Sequence, residues 1–83
     1  MENRLVVMKI LRWVDGDTFY GIVRVRLSDV FAPELHTVEG KAAKTEMEIK
    51  YGKNKIAVQT YGGDAWNRLL ARIVGNVPPD TKV

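Results

Sequence analysis

The segment from Val14 to Glu34, VDGDTFYGIVRVRLSDVFAPE, most constrains how this chain folds. It opens with Asp15-Gly16-Asp17, a turn signal in which glycine tolerates a positive φ. Residues 22–28 then alternate apolar and polar side chains, which is the period of a half-buried strand. Pro33 closes the segment as a corner, because proline cannot donate to a strand ladder. The segment therefore predicts β structure with acidic residues on both sides of a basic strand.

The alternating strand predicts which of its side chains could meet a ligand. Its apolar residues Val23, Val25 and Leu27 belong on the core face, and Arg24 and Arg26 then face a cleft or solvent. Arginine presents a planar fork that matches two phosphate oxygens. Together with the acidic turns, this strand predicts a compact site for a phosphate and a metal ion.

Five strands and one helix are expected along the chain, with Thr37 as a cap before the helix and Gly52 as its C-terminal stop. The predicted strands are Leu5–Val14, Thr18–Tyr20, Ile22–Ser28, Lys55–Thr60 and Arg68–Val74, and the predicted helix is Gly40–Tyr51. This order, with the helix between strands 3 and 4, is typical of a five-stranded OB-fold barrel. We expect one domain over residues 1–77 and a loose tail over residues 78–83.

Composition narrows the ways in which this domain can be stabilised. A chain of 83 residues buries a marginal core, and without cysteine it has neither disulfides nor thiolate ligands for zinc. The single His36 cannot build a zinc site alone. The net charge of +3 permits an anionic partner. No window predicts a membrane span or a signal peptide, so a cytoplasmic location is the default expectation.

Three motifs in order resemble the staphylococcal nuclease (thermonuclease-like) family. They are Asp15-Gly16-Asp17-Thr18, then Val25-Arg26-Leu27 leading into Ala32-Pro33-Glu34, and finally the segment from Asp64 to Ala71 that contains Arg68. The similarity covers roughly residues 9–77. It implies hydrolysis of phosphodiester bonds in DNA or RNA, usually with calcium.

The resemblance also implies roles for particular residues. Asp17 would ligate the metal, and the carbonyl of Ala32 would complete part of the metal shell. Arg26 and Arg68 would grip the scissile phosphate and stabilise the charge that develops on it. Glu34 would position or deprotonate the attacking water.

Phe31 departs from the family pattern, because the family has its second metal-binding carboxylate at this position. Calcium takes roughly 6–8 oxygen ligands, so the substitution should weaken metal binding. Asp29 lies two residues earlier and would share a side with Phe31 on an extended strand. It is therefore a weaker candidate for supplying the missing charge.

Each site residue also has an ordinary explanation when it is taken alone. The Asp15-Gly16 pair can be a plain turn, Arg26 a solvated strand residue, and Arg68 half of a surface ion pair, which would contribute little. Trp66 occupies a position that the family usually fills with tyrosine, so it could stack on a base or simply lie against the barrel. The order of the motifs favours the site interpretation for Asp17, Arg26, Glu34 and Arg68, whereas Arg24 lacks that support.

The sequence thus predicts an enzyme, a metal-dependent nuclease acting on DNA or RNA with little sequence preference. The first alternative is a nucleic-acid-binding module that has lost turnover, which Phe31 favours. The second is a structural or protein-interaction domain, which predicts no nucleic-acid binding even at low salt. The chain ends where the resembled family continues with helices, so we expect a homo-oligomer to cover exposed apolar surface.

Overall fold

The computed structural model describes residues 4–63 and 67–83. These residues form a mainly β architecture with one helix, as the sequence predicts. The elements in chain order are β1 (Arg4–Lys9), β2 (Arg12–Asp15), β3 (Thr18–Tyr20), β4 (Arg24–Leu27), α1 (Val38–Lys50), β5 (Lys55–Gly63) and β6 (Leu69–Asn76). Within this part of the chain, no helix has the length and apolar character needed to cross a membrane.

The six strands form one mixed sheet in the order β1-β5-β6-β4-β3-β2. Neighbours are antiparallel except β4 and β6, which run parallel with Val25 opposite Leu69. Strands β2, β3 and β4 are consecutive hairpins, with Thr18 opposite Arg26 across the last pair. The side chains of the candidate site therefore come from strands that lie next to one another.

The predicted first strand, Leu5–Val14, is wrong as a single element, so the sheet has six strands rather than five. Ile10 and Leu11 separate β1 from β2. The Ile10 N–H donates to the Asn54 carbonyl at 3.0 Å, whereas the Leu11 N–H donates to the Tyr20 carbonyl at 2.7 Å. Two consecutive residues thus bond to opposite ends of the strand order, which requires the sheet to curve.

The core lies on one face of this curved sheet, and period-two alternation explains its membership. Val25 and Leu27 are buried from β4, as predicted, whereas the prediction that Val23 faces the core is wrong, because Val23 is exposed outside the ladder. Phe19 from β3 and Ile56 and Val58 from β5 are also buried. The other buried apolar residues are Met8, Ile10, Trp13 and Ala71. Alternate residues of the same strands are left on the outer face.

Helix α1 covers one side of the core and is set by local signals. The Thr37 hydroxyl accepts a hydrogen bond from the Gly40 N–H at 2.9 Å, which confirms the predicted cap. The helix ends before Gly52, whose φ of 52° suits glycine and confirms the predicted stop. Met47 and Tyr51 pack against the core.

Two glycines allow α1 to approach the segment that carries the candidate site. A Cβ on Gly40 would lie 1.9 Å from the Glu34 carbonyl oxygen. A Cβ on Gly16 would lie 2.8 Å from the Cβ atoms of both Ala32 and Ala43. Gly16 is therefore required for space rather than for a positive φ, and the helix start, the Asp15-Gly16 turn and the Ala32–Glu34 corner form one packed unit.

Several predicted boundaries differ from the structure. Strand β4 begins at Arg24, because Ile22 and Val23 are exposed and lie outside the ladder. Strand β5 extends to Gly63, three residues beyond the predicted end at Thr60. Strand β6 extends to Asn76, two residues beyond the predicted end. Helix α1 begins two residues earlier than predicted, at Val38.

Candidate functional site

Asp17 is the central acidic group of the candidate site. It lies in the turn between β2 and β3, and only 9% of its surface is exposed. Its backbone is fixed by the Leu27 N–H, which donates to the Asp17 carbonyl at 2.7 Å, and by its own N–H, which donates to Asp15 Oδ1 at 3.1 Å. The turn and β4 together therefore hold this carboxylate in one place.

The side chain of Asp17 joins the two acidic segments of the sequence. Its Oδ2 accepts a hydrogen bond from the Ala32 N–H at 3.1 Å, across 15 positions of the chain. Its Oδ1 accepts a hydrogen bond from the Thr18 hydroxyl at 3.0 Å. Asp17 and Ala32, both predicted as metal-site residues, are thus in direct contact, although the contact uses the amide of Ala32 and not its carbonyl.

Arg26 reaches the same carboxylate from β4. Its Nη2 lies 3.5 Å from Asp17 Oδ2, and 18% of its side chain is exposed. Its Nη1 donates to the Leu27 carbonyl and, at 2.9 Å, to the Val30 carbonyl. The guanidinium is therefore preorganised beside Asp17 by backbone acceptors of its own loop.

The pKa values of Asp15 and Asp17 move in opposite directions. Burial by itself raises the pKa of Asp17, but hydrogen bonding with Asp15 and from the Ala32 N–H lowers it. The Thr18 hydroxyl and the charge of Arg26 lower it further, and the net pKa lies below the usual value. The pKa of Asp15 is raised, first by burial and then by its interaction with the Asp17 side chain. The two carboxyl groups, joined by hydrogen bonding, thus form an acidic pair.

This acidic pair identifies Asp15 as a site residue that sequence reasoning did not assign a role. The signal was present in the sequence, since Asp15 and Asp17 are separated by one glycine in a turn. In the sequence, a plain turn at Asp15-Gly16 is enough to explain Asp15. Its side-chain contact with the Asp17 amide is what places it in the site.

Phe31 covers the arginine of the site instead of contributing an oxygen ligand. The guanidinium carbon of Arg26 lies 5.4 Å from the centroid of the Phe31 ring, within the range of a cation–π contact. The ring is otherwise 84% exposed. An exposed aromatic ring therefore stands at the mouth of the site, where the resembled family has a carboxylate.

Glu34 lies on the same corner as Ala32, but its carboxylate points into solvent. Its side chain is 80% exposed, and Oε2 lies 3.4 Å from Nδ1 of the equally exposed His36. Its carbonyl accepts hydrogen bonds from the N–H of Thr37, at 3.0 Å, and from the Thr37 hydroxyl, at 2.7 Å. The backbone of Glu34 is therefore fixed by the helix cap, while its carboxylate is accessible to water.

Arg68 is the residue immediately before β6. Because Leu69 is opposite Val25, Arg68 is level with Arg24 and two strand positions from Arg26. Strand spacings then separate the Arg26 and Arg68 backbones by roughly 8 Å, within the reach of two arginine side chains toward one phosphate. In the structure Arg68 lines a cavity of about 450 Å³ together with Ile22, Val23 and Leu69.

Of the two remaining candidates, only Asp29 lies within the described residues. Asp29 is exposed and lines a cavity of about 230 Å³ with Lys50 and Tyr51. The pKa of Arg72 is raised first by a hydrogen bond with Tyr61 and also by the negative charge of Asp29. The cationic neighbours of Asp29 are therefore Lys50 and Arg72. Trp66 lies outside the described residues, so its stacking role stays a prediction.

The donor set around Asp17 suits a hard cation. Asp15 and Asp17 place two carboxylates in one turn, and carboxylate oxygens are the ligands that calcium and magnesium prefer. Burial is the first cause of the raised pKa of Asp15, and a bound cation would favour the ionised form of this carboxyl group against that burial. Within residues 4–63 and 67–83 no group of three acidic, histidine or cysteine side chains converges. Water and substrate oxygens would have to complete the shell.

The sequence matches no protein-family model, and it matches no curated protein. The resemblance to the nuclease family therefore rests on the three motifs in the sequence. The structure places two of those motifs side by side, around Asp17 and Arg26.

Proposed function

We propose that the protein is a metal-dependent phosphodiesterase that hydrolyses DNA or RNA. The observation that carries the proposal is the contact of Asp17 with both Arg26 and the Ala32 amide. A carboxylate and a preorganised guanidinium at one point provide a metal ligand and a phosphate ligand side by side. Phosphodiester hydrolysis needs both, because negative charge accumulates on the phosphate oxygens in the transition state.

The proposed fold is the OB-type barrel, and the connection through Ile10 and Leu11 supports it. If β1 and β2 are counted as two halves of one strand, the order β1-β5-β6-β4-β3-β2 returns to the strand on which it began. A five-stranded barrel requires such a return. Among the neighbouring strands described in that order, β4 and β6 run parallel and the other pairs run antiparallel.

The roles follow from the placement of each side chain. Asp17, assisted by Asp15, would hold a calcium ion or another divalent cation, which supplies Lewis-acid stabilisation of the phosphate when bound. Arg26 would bind a nonbridging phosphate oxygen, and Arg68, just before β6 and two strand positions from Arg26, would bind a second one. Glu34, with its exposed carboxylate, would orient or deprotonate the water that attacks in line.

The second candidate function is a binding module with the same groove and no turnover. Phe31 favours it, because the ring stands over Arg26 where a metal-binding carboxylate would otherwise complete the shell. The same ring could stack on a base, an interaction worth roughly 1–3 kcal/mol in single-strand binders. Both candidates predict nucleic-acid binding, and they differ in metal-dependent cleavage.

The test is cleavage of a fluorescent single-stranded DNA and of a matching RNA, with calcium, magnesium, manganese or EDTA. We expect cutting with at least one metal, none with EDTA, and a loss of roughly 100-fold or more in Glu34→Gln, the size of a general-base contribution. Cutting that persists unchanged in Glu34→Gln would contradict the role of Glu34. Salt-dependent binding without any cutting would leave the binding module as the function.

Phe31 offers a direct separation of the two candidates. Phe31→Asp adds a carboxylate at the mouth of the site, and Phe31→Asn removes the same ring without adding charge. If the protein is an enzyme limited by its metal shell, Phe31→Asp should lower the metal concentration needed for half-maximal cutting, and Phe31→Asn should not. If both variants lower the required metal concentration equally, the ring and not the missing carboxylate sets metal use.

A further inference from the structure

We propose that a single strand of nucleic acid is bound by a second surface, beside the Asp17 site, which we call the basic track. This inference rests on the proposed function for the class of ligand, and it assigns binding residues that the site does not contain. The basic track consists of Arg24, Tyr20, Arg12, Lys44, Lys53, Lys9 and Lys55.

The first half of the basic track is a row of side chains across β4, β3 and β2. Tyr20 is opposite Arg24 on one side and opposite Arg12 on the other. Residues directly opposite in antiparallel strands point to the same face of the sheet. The guanidinium carbons of Arg12 and Arg24 lie 4.6 and 5.8 Å from the centroid of the Tyr20 ring. Both arginines are exposed, so the ring positions two cations toward solvent.

The row continues into a cavity of about 420 Å³ between β2 and the end of α1. Arg12, Lys44 and Lys53 line it together with one acidic residue, Glu48. Lys53 also lines the adjacent cavity of about 390 Å³, so the two cavities share a wall. The positive surface is therefore continuous from β4 to the turn after α1.

The second half of the basic track contains lysines that are close together without an acidic neighbour in the cavity lining. Lys9 and Lys55 are directly opposite on β1 and β5, and both line the cavity of about 390 Å³ with Lys53. Like charges directly opposite in a sheet are destabilising. Their ammonium groups are held by carbonyls, Lys9 by that of Lys53 at 3.0 Å and Lys55 by that of Thr81 at 2.8 Å. A phosphate bound between them would offset this repulsion.

The basic track begins next to the candidate site. Arg24 precedes Arg26 by two residues on β4, and Tyr20 follows Thr18 by two residues on β3. Two strand residues span roughly 7 Å, so a strand bound at Arg26 can pass directly onto Arg24 and Tyr20. OB-type domains bind roughly 4–16 nucleotides, which matches a surface that crosses from β4 to β1. The basic track thus assigns the substrate as an oligonucleotide rather than a single nucleotide.

The test compares two double variants that each remove one arginine and one lysine. Arg12→Gln/Lys53→Gln alters the basic track, and Lys50→Gln/Arg72→Gln alters two charges outside the basic track, near Asp29. Binding of fluorescent oligothymidylate and oligouridylate is measured in EDTA over a range of salt concentrations. Circular dichroism verifies that both variants are folded.

We expect the basic-track variant to bind about 10-fold more weakly at low salt. Its salt slope should be shallower by about 1.4, because each phosphate contact with a single strand contributes about 0.7. The control variant should bind within about twofold of the unmodified protein with an unchanged slope. Equal weakening in both variants would show that net charge alone drives binding and would overturn the proposal. Binding to anionic vesicles in place of either oligonucleotide would also overturn it.

Cleavage assays separate this inference from the proposed function. The basic-track variant should need more oligonucleotide for half-maximal cutting and should cut at an unchanged rate when saturated. If no protein cuts but the binding difference holds, the basic track stands and the hydrolytic function fails. If the basic-track variant binds and cuts like the unmodified protein, the basic track fails and the nuclease function stands.

Discussion

Gly40→Ala should destabilise the protein, although Gly→Ala normally stabilises a helix. The new Cβ would lie 1.9 Å from the Glu34 carbonyl oxygen, 2.5 Å from its carbon and 2.9 Å from the Pro33 oxygen. All three atoms belong to the backbone, so no side chain can rotate away. The start of α1 and the Pro33-Glu34 corner must separate by more than 1 Å before the contact is tolerable.

The magnitude follows from two opposing contributions. Alanine is favoured over glycine in a helix interior by about 1 kcal/mol. Overpacking that forces backbone shifts costs about 1–3 kcal/mol, and the shift at Gly40 places it at the upper end. We therefore expect a net loss of about 2 kcal/mol in the free energy of unfolding, or about 8–16 °C in Tm for a domain of this size. Because Ala32 and Glu34 lie on the displaced corner, cutting and metal use should fall as well.

Urea denaturation and thermal melting measure this change, with Gly75→Ala as the control. A Cβ on Gly75 meets nothing within 4 Å, so that variant should be as stable as the unmodified protein or slightly more stable. If Gly40→Ala has the Tm of the unmodified protein or a higher one, the close approach of α1 to the corner is refuted. Loss of stability in both variants would instead indicate a general effect of replacing glycine.

Three further predictions concern the helix cap and the two carboxyl groups of the acidic pair. Thr37→Ala removes the acceptor of the Gly40 N–H and should cost about 1 kcal/mol, read from urea denaturation; an unchanged midpoint would contradict the cap. The pKa of Asp17 is lowered by folding, so its stabilising contribution is present above the usual carboxyl pKa and is lost as pH falls through the folded value. Asp17→Asn should therefore be less stable than the unmodified protein at neutral pH and approach it in acid. The raised pKa of Asp15 has the opposite sign, so Asp15→Asn should be more stable at neutral pH in EDTA, and a less stable variant would refute the raised pKa.

Local signals explain the parts of the fold that the sequence predicted well. The helix is bounded by Thr37 and Gly52, and both act through hydrogen bonds or backbone angles within a few residues. The strand residues Val25 and Leu27 alternate with Arg26 in a strict period of two. The proximity of Arg26 to Asp17 then follows from a short hairpin, so this half of the site was within reach of sequence reasoning.

Tertiary contacts decided the parts that it missed. The end of β1 cannot be predicted from the apolar run through Ile10 and Leu11, because hydrophobicity does not indicate which strand accepts a hydrogen bond from each N–H. Ile22 and Val23 fit the strand pattern, yet they are exposed outside the ladder. The cation–π contact of Phe31 with Arg26 and the outward direction of Glu34 depend on rotamers, which no spacing of residues encodes.

The switch of partners between Ile10 and Leu11 also determines how the chain must fold. Strands β2, β3 and β4 can pair as neighbouring hairpins as soon as they are synthesised. Strand β1 cannot, because Arg4 must wait for Thr60 on β5, and β4 must wait for β6. Topologies dominated by such distant pairings fold in milliseconds to seconds, not in microseconds. Strand β1, which precedes the other described strands in the chain, is thus among the last of them to be paired, and until then the edge of β5 is open to other chains.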